Sequence, residues 1–295
     1  MKTKIFESTD TNVKKFVYEF EQPKAIAEAV LYRYGSYQKR TVICCSVMSG
    51  CPVGCTFCGT GSFFVRNLSA DEIVAQVKGC LDTIDCNTLD IEKFQIMFMS
   101  MGEPFLNFDA LWRAIIRLNE LYPNAQLLVS TSAPALIYRH FSSFVELSLN
   151  ISKVGLQFSV HESTDENRRK LIPSRTCTLR QIAVLGEFWA AFVGRKPFYN
   201  YCVHDKNNTP EDAERLTTLF RPEVWETTLS VICEKDETVA NSIERQLEII
   251  NGFASEMTKR NASLRIFNPA GQDDIGGGCG QLWYFQEWLK ENQDE

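Results

Sequence analysis

Three cysteines lie close together in one short segment of the chain. The segment Cys51-Pro-Val-Gly-Cys55-Thr-Phe-Cys58 has the spacing C-x₃-C-x₂-C and follows a predicted strand. Three thiolates at this spacing can bind one face of a 4Fe–4S cluster and leave the fourth iron without a protein ligand. Gly50 and Gly54 allow the segment to turn tightly, because glycine adopts a positive φ without penalty. The spacing therefore predicts a cluster with one iron open to a reactant.

A zinc site is the alternative interpretation of the same cysteines. Structural zinc takes four ligands, usually in two well-separated pairs. Here three cysteines lie within eight residues, and the sequence offers no obvious fourth ligand. Cys44 or Cys45 could complete the set, but a strand residue six or seven positions upstream is poorly placed to reach the loop. We therefore favour the cluster over zinc.

The composition indicates a protein with a full hydrophobic core. The chain has 295 residues, 44% of them hydrophobic, and eleven cysteines, which favours thiol or metal chemistry over a disulfide scaffold. No segment approaches the ~20 apolar residues that cross a bilayer, and the N-terminus lacks a secretory signal. We therefore expect a cytoplasmic protein with no membrane association. The net charge of −6 is unfavourable for strong non-specific binding to nucleic acid, and the locally basic stretch 153–180 is interpreted as solvated helix and loop faces.

Predicted strands and helices alternate along the chain. Segments rich in β-branched and aromatic residues are predicted as strands at 16–20, 29–34, 41–45, 94–99, 126–130, 154–160, 197–203 and 227–232. Helices are predicted from the N-cap Ser69 onward and at 109–121, 135–147, 179–192, 210–220 and 240–257. This alternation predicts a parallel sheet with right-handed crossovers, either doubly wound or closed as a barrel. Both architectures place the ligand site at the C-terminal ends of the strands, where the polar segments of this chain lie.

The cysteine segment, with aromatic Phe57 before its last cysteine, resembles the signature of the radical S-adenosylmethionine (SAM) superfamily. The resemblance implies that SAM binds the open iron and is cleaved to a 5′-deoxyadenosyl radical. The segment Met101-Gly-Glu-Pro104 resembles the part of that superfamily that binds the SAM amino group, which implies this role for Gly102 and Glu103. Other expected SAM contacts are Phe57 in the cysteine segment, Glu234 near the end of a later strand, and three serines and a histidine at the next strand ends: Ser130, Ser132, Ser159 and His161. Taken alone, each of these segments would be an ordinary turn or strand end.

From about residue 13 to residue 283 the chain resembles, more specifically, the RlmN/Cfr family of adenosine methyltransferases. The matching segments are 44–61, 99–107, 129–132, 159–173, 203–208 and 273–282. The last is the most specific, since generic radical-SAM enzymes lack such an acidic-Ile and Cys-Gly-Gln-Leu segment. The resemblance implies a partial (β/α)₆ barrel with an N-terminal β extension. We expect the extension at 1–40, the barrel at 41–283 and an acidic tail at 284–295.

The family resemblance implies catalytic roles for two cysteines that do not bind the cluster. Cys279 matches the thiol that takes a methyl group from a first SAM, and the radical from a second SAM then activates that methyl for addition to an adenine carbon. Cys44 matches the thiol that removes a proton and releases the product by forming a disulfide with Cys279. Because side chains alternate along a strand, only one of Cys44 and Cys45 can face the site, and the family spacing favours Cys44.

The resemblance also implies partners and shows departures from the family pattern. It implies an RNA substrate, either rRNA or tRNA, and a flavodoxin-type electron donor, and we expect a monomer. The additional N-terminal domain of the rRNA enzymes is expected to be missing. Glu234 stands where the family has a SAM-binding asparagine, and the segment Asn268–Gln272 stands where the family has basic residues. These differences weaken the prediction of an RNA substrate more than the prediction of radical-SAM methyl transfer.

Two other functions fit the same cysteines. A radical-SAM enzyme on this scaffold could act on a peptide or small metabolite, and it would not need Cys44 or Cys279. A metal-binding interaction module without turnover is the alternative outside the class of enzymes. The leading prediction is a radical-SAM methyltransferase that acts on an adenine carbon in RNA.

Overall fold

A computed structural model describes residues 1–61, 63–231, 243–267, 271, 274–278 and 280–292. The strands in these residues are β1 (Lys2–Glu7), β2 (Val13–Glu21), β3 (Lys24–Tyr34), β4 (Ser36–Cys45), β5 (Met48–Gly50), β6 (Phe64–Asn67), β7 (Lys93–Phe98), β8 (Gln126–Thr131), β9 (Val154–Ser159), β10 (Phe198–Cys202), β11 (Glu226–Ser230) and β12 (Leu264–Phe267). The helices are α1 (Ala70–Leu81), α2 (Phe108–Leu121), α3 (Ile137–Asn150), α4 (Asp165–Leu171), α5 (Leu179–Val193), α6 (Pro210–Leu219), α7 (Ile243–Thr258) and α8 (Trp283–Asn292). Most of the predicted elements are present within a few residues of their predicted ends.

One large sheet organises the described residues. Its strand order is β1-β2-β3-β4-β7-β8-β9-β10-β11-β12, and β5 pairs with β6 in a separate ribbon. The first four strands run antiparallel to their neighbours, and from β4 to β12 every neighbouring pair is parallel. Helices connect the parallel strands, as the alternating sequence pattern predicts. The predicted mixed α/β fold class is confirmed.

The sheet is open in its hydrogen bonding but curled in space. Among the described residues, no ladder joins β1 to β12. Nevertheless Val30 and Tyr32 of β3 line the same cavity as Ile266 and Phe267 of β12. Strands far apart in the sheet order can share a cavity only if the sheet curves around it. This arrangement agrees with a partial barrel, whose interior face is lined by every second residue of each strand.

The helices pack on the outer face of the sheet through their apolar stripes. Helix α1 begins at Ser69, whose hydroxyl accepts a hydrogen bond from the Glu72 amide while the Glu72 carboxylate accepts one from the Ser69 amide. This capping box satisfies two amides that the helix leaves unpaired, and it confirms the predicted N-cap. Helices α5 and α6 begin with capping boxes at Thr178 and Thr209.

The two ends of the chain contain elements that the sequence pattern did not predict. Strand β1 extends the antiparallel part of the sheet, and β12 adds a last parallel strand. Helix α8 buries Phe285 and Leu289 against the body of the protein. Residues 1–40 continue into the parallel strands through β4, so the division into an extension, a barrel and a tail stays a prediction. No helix among the described residues has the length and apolar character to cross a membrane.

Candidate active site

The cysteine loop opens onto a cavity at the C-terminal ends of the parallel strands. We call this cavity of about 120 Å³ the cysteine-loop cavity. The predicted cluster ligands Cys51, Cys55 and Cys58 all line it. All of the predicted SAM-contact residues that the structure describes line it too: Phe57, Gly102, Glu103, Ser130, Ser132, Ser159 and His161. The predicted site residues Cys279 and Glu234 lie outside the described residues.

Two glycines shape the cysteine loop as the sequence predicts. Gly50 and Gly54 have φ values of +75° and +72°, in the left-handed region that favours glycine. A Cβ atom on Gly50 would lie 2.2 Å from the carbonyl oxygen of Phe63. That carbonyl accepts a 2.7 Å hydrogen bond from the Cys51 amide, so the close approach fixes the first cysteine in the loop.

The three thiols suit an iron–sulfur cluster by their chemistry and burial. Burial raises the pKa of Cys51 to about 12 and that of Cys55 well above its ordinary value, and the nearby Cys58 sulfur raises both further. Thiols that raise each other's pKa lie close together, and a bound cationic metal centre reverses that effect by stabilising the thiolates. As these side chains stand, no group of three or more His, Cys, Asp or Glu in the described part of the chain is arranged around a single metal ion.

Glu103 is fully inside the site and accepts four hydrogen bonds. Its Oε1 accepts from the Thr131 hydroxyl at 2.6 Å and from the Phe105 amide at 3.1 Å. Its Oε2 accepts from the amide and the hydroxyl of Ser132, each at 2.7 Å. Burial raises the pKa of this carboxyl, and the bonds from Thr131 and Ser132 oppose the rise. Since a carboxylate has about four acceptor positions, a ligand ammonium would take the place of one donor, most easily the rotatable Ser132 hydroxyl.

His161 presents a buried nitrogen without a protein partner. Its backbone has a φ of +61°, and its ring packs edge-on against Phe57 with centroids 5.4 Å apart. Burial, followed by the charge of Arg168, lowers the pKa of His161 to about 3, so the ring is neutral at neutral pH. Within the described residues, no group forms a hydrogen bond with the buried Nδ1 of His161. An unpaired polar atom in a buried site is suited to a bound polar ligand such as SAM.

Arg168 is a site residue that the sequence analysis missed. It lies in the basic stretch that was interpreted as solvated, yet its side chain is buried while Arg169 and Lys170 are exposed. Its guanidinium donates to the carbonyl oxygens of Ser132 at 2.7 Å and Ser159 at 3.0 Å. Arg168 therefore ties together the ends of β8 and β9, which carry predicted SAM contacts. The solvated interpretation is wrong at this position, because a short helix places Arg168 inward between two exposed neighbours.

A second cavity adjoins the first and fills the interior of the curled sheet. We call this space of about 310 Å³ the central cavity. It shares Met99, Ser100, Asn200 and Gly280 with the cysteine-loop cavity. Cys44 lines it, whereas Cys45 is fully buried in the core on the other face of β4. Cys44 is thus the member of the pair that faces the interior, and burial raises the pKa of its thiol to about 12.

The glycine-rich C-terminal segment covers both cavities. Gly278 and Gly280 line the central cavity, and the carbonyl oxygen of Gly280 accepts a 2.5 Å hydrogen bond from the amide of Gly59 in the cysteine loop. A Cβ atom on Gly59 would lie 2.2 Å from the carbonyl oxygen of Gln281, so the two segments approach closely. The sequence neighbours of Cys279 therefore contact the loop that carries the predicted cluster ligands.

A buried ion pair anchors this segment to the antiparallel strands. Lys15 and Glu28 are almost fully buried and lie 2.5 Å apart. The Lys15 ammonium also donates to the carbonyl oxygen of Gly276, and Glu28 accepts from the amide of Phe285 at 2.7 Å. The Tyr32 hydroxyl donates to the carbonyl oxygen of Gly277 at 2.7 Å. The N-terminal strands thus position the C-terminal segment.

Comparison with solved structures finds a radical-SAM methyltransferase with this fold. The chain superposes on a radical SAM methyltransferase from Sphaerobacter thermophilus with a TM-score of 0.75 and 25% sequence identity, covering 95% of this chain and 80% of that one. Streptococcus suis SuiB, in a structure bound to S-adenosylmethionine, has a TM-score of 0.52 at 19% identity, over 77% of this chain and 46% of its own, and shares the fold alone.

Sequence comparison leads to a narrower family. The chain is 30% identical over 278 residues to the probable dual-specificity RNA methyltransferase RlmN of Thermosipho melanesiensis, covering 91% of this chain and 75% of the relative. The protein of the same name from Koribacter versatilis is 31% identical over 255 residues, covering 84% and 70%. No protein-family model matches the chain. The chain belongs to the RlmN family of radical-SAM methyltransferases, and this membership implies a 4Fe–4S cluster and SAM as its cofactors.

Proposed function

We propose that this chain methylates an adenine carbon in RNA and carries the methyl group on Cys279 before transfer. The observation that carries the proposal is the position of the residues on either side of Cys279. Gly278 and Gly280 line the same cavity as Cys44, and Gly280 is hydrogen-bonded to Gly59, next to Cys58. The described neighbours of Cys279 thus contact the predicted cluster loop and line the cavity of Cys44, which supports a role for Cys279 between these two groups.

Named residues have proposed roles in holding the cofactors. Cys51, Cys55 and Cys58 would hold the cluster, while Glu103 and His161, with a buried carboxylate and a buried unpaired nitrogen, would bind polar groups of SAM. The cluster and two molecules of SAM per turnover supply a methyl group and a carbon-centred radical. Arg168 fixes the ends of β8 and β9 by donating hydrogen bonds to the carbonyl oxygens of Ser132 and Ser159.

The proposed roles of the two other cysteines follow from thiol chemistry. A thiolate is nucleophilic enough to accept a methyl group, which the adenine carbon is not, so Cys279 serves as the carrier. The radical adduct would return one electron to the cluster, and the Cys44 thiolate takes a proton from the adenine carbon. After it has passed that proton on, Cys44 attacks the Cys279 sulfur, the bond from that sulfur to the methylene carbon breaks, and a disulfide forms. The electron pair of the broken bond stays with the product carbon, which takes up a proton to become the methyl group. Burial raises the pKa of Cys44 to about 12, so only a small fraction of it is thiolate at neutral pH, and that fraction is the strong base that takes the proton. Met97 and Met99 line the same cavity with apolar side chains.

Mass spectrometry of the purified protein tests the carrier role. The peptide that contains Cys279 is expected to carry the additional mass of one CH₂ after incubation with SAM. Cys279→Ala should abolish methyl transfer to RNA but leave reductive cleavage of SAM intact. Cys86→Ala, at a half-buried position away from both cavities, is the control and should leave both activities intact. Methyl transfer by the Cys279→Ala protein would contradict the proposal and favour a radical enzyme that acts on a peptide or metabolite.

Metal content distinguishes the enzyme from a zinc-binding interaction module. Anaerobic reconstitution should give about four irons per chain, and replacing Cys51, Cys55 or Cys58 by Ser should prevent uptake. One tightly bound zinc per chain, with no cleavage of SAM, would overturn both the cluster and the reaction. Assays with rRNA and tRNA fragments then separate the two proposed substrates. A flavodoxin-type electron donor, a monomeric state and a cytoplasmic location are further parts of the proposal.

A further inference from the structure

Three cations line the end of the central cavity that lies farthest from the cysteine loop. Arg40, midway along β4, and Lys93, the first residue of β7, are partners in the parallel ladder. Arg265 on β12 lines the same cavity from the other end of the sheet. Among the described residues that line this cavity, none is acidic. In the same part of the chain none of the three cations lies within 4 Å of a carboxylate oxygen, and Glu226 acts on Arg265 only from a greater distance.

The two arginines are held in place by neutral groups. The Arg40 guanidinium lies 4.3 Å from the ring centroid of Tyr34 and donates to the Gln95 side chain at 3.2 Å. Its Nε is buried and has no partner in the described residues. Arg265 stacks 4.6 Å from the ring centroid of Phe198 and donates to the Thr228 hydroxyl at 2.8 Å. Aromatic stacking and amide contacts orient a guanidinium without neutralising it.

The arginine charges also affect each other across the cavity. Arg265 is exposed as a whole residue, but the groups packed around its guanidinium partly desolvate it and lower its pKa. Glu226 opposes that effect, and the charge of Arg40 adds to it. Two like charges facing a partly buried space are unfavourable unless an anion lies between them. Guanidinium groups match phosphate in particular, because their planar donors can bond two of its oxygens at once.

The distance from these cations to Cys44 suits a nucleotide. Four residues along β4 separate Arg40 from Cys44 on the same interior face, which is about 13 Å between their Cα atoms. A base that lies at Cys44 therefore has the arginine end of the cavity on its far side, where a phosphate joined to it through the ribose can lie. The cavity volume of about 310 Å³ lies at the lower end of the range for small-ligand sites.

We propose that Arg40, Lys93 and Arg265 form a phosphate-binding subsite for an adenosine nucleotide whose base lies toward Cys44. The identity of the base rests on the proposed function, whereas the anion site stands on the three cations themselves. The phosphate belongs either to a free mononucleotide or to the RNA chain next to a flipped-out adenosine. Both sources present the same phosphate oxygens to the arginines.

The test compares adenosine with adenosine 5′-monophosphate (AMP) as ligands of the reconstituted, SAM-loaded protein under anaerobic conditions. AMP should bind about 10- to 100-fold more tightly than adenosine, as expected for charge-assisted hydrogen bonds to phosphate. The double variant R40Q/R265Q should lose this preference and keep its affinity for adenosine. Lys39→Gln is the matched control, because Lys39 precedes Arg40 on β4 but is exposed and does not line the cavity.

A competition experiment identifies the source of the phosphate. A short single-stranded RNA with one adenosine that competes with AMP would indicate the RNA backbone, and tight AMP binding without such competition would indicate a free nucleotide. Equal affinities for AMP and adenosine, or a phosphate preference that survives in R40Q/R265Q, would overturn the subsite.

Two controls separate this proposal from folding and from the proposed function. Thermal unfolding checks that the double variant is folded, and Arg40→Lys, which keeps the charge but not the planar donors, should show an intermediate preference for AMP. Mass spectrometry of Cys279 reports on the proposed function alone. If Cys279 carries no methyl group but the protein still prefers AMP, the proposed reaction is rejected and the subsite is retained. If Cys279 is methylated but the protein binds AMP and adenosine equally, only the subsite is rejected.

Discussion

At the scale of single residues, the site depends on buried charged groups that are held by hydrogen bonds within the protein. The Glu103 carboxylate accepts four donors at 2.6 to 3.1 Å, and the Arg168 guanidinium donates to the ends of β8 and β9. Both side chains are buried, so a lost bond leaves an unpaired polar group away from water. Stability and ligand binding are therefore coupled at these positions.

Glu103→Gln should destabilise the protein as well as weaken SAM binding. A glutamine has one acceptor oxygen, so its amide nitrogen faces the donors from either Thr131 and Phe105 or Ser132. We expect a loss of ~1–3 kcal/mol in the free energy of unfolding, measured by urea denaturation. Glu92→Gln, at an exposed position, is the control and should change stability by less than ~0.5 kcal/mol. Equal stability of the two variants would show that the bonds to Glu103 contribute little.

The pKa of Cys44 predicts how product release depends on pH. Burial raises this pKa to about 12, so at pH 7 to 9 only a small fraction of the thiol is ionised, and that fraction rises tenfold per pH unit. If the Cys44 thiolate limits release, the rate should therefore rise about tenfold per pH unit with no plateau in this range. Single-turnover decay of the protein–RNA adduct measures the rate. A plateau near pH 8 would contradict the raised pKa, and Cys44→Ser should accumulate the adduct at every pH.

At the scale of elements, strand register and helix caps decide which side chains reach the site. In the ladder between β4 and β7, Cys44 is opposite Met97, and both side chains line the central cavity. A shift by one residue would turn Cys45 toward the cavity instead. Helix α1, which follows the cysteine loop and packs on β3 and β4, helps to fix this register.

Removing the N-cap of α1 should have a modest and measurable cost. Ser69→Ala removes the hydroxyl that accepts from the Glu72 amide, and we expect a loss of ~1 kcal/mol in the free energy of unfolding. Urea denaturation monitored by circular dichroism measures it. Ser142→Ala, at an exposed interior position of α3, is the matched serine control and should be neutral or slightly stabilising. A loss below ~0.3 kcal/mol at Ser69 would mean that the Glu72 side chain caps the helix without the hydroxyl.

At the scale of the whole molecule, charge is distributed unevenly. The chain has a net charge of −6, yet the central cavity has three cations and no acidic residue among its described lining. A negative surface disfavours non-specific binding to phosphates, while the cavity end attracts one or a few of them. The molecule is thus suited to local rather than extended contact with a nucleic acid.

The salt dependence of RNA binding tests this distribution. With two or three phosphates neutralised, the logarithm of the association constant should fall with the logarithm of the salt concentration with a slope of about −2 or shallower for a single strand. Titrations of a short adenosine-containing RNA between low and physiological salt measure the slope. A slope of about −5 or steeper would instead indicate a broad basic surface outside the cavity.

The sequence by itself determined the kind of chemistry and the order of the elements. The C-x₃-C-x₂-C spacing, the alternation of strands and helices and the Ser69 cap are local patterns, and local physics fixes their meaning. Only the tertiary structure decided that Arg168 is buried and that Cys44 shares a cavity with the glycines next to Cys279. The curl of the sheet, which no local pattern encodes, also brought Arg40 and Arg265 to one cavity. These contacts join residues that are far apart in the sequence, and they arise from the packing of many strands at once.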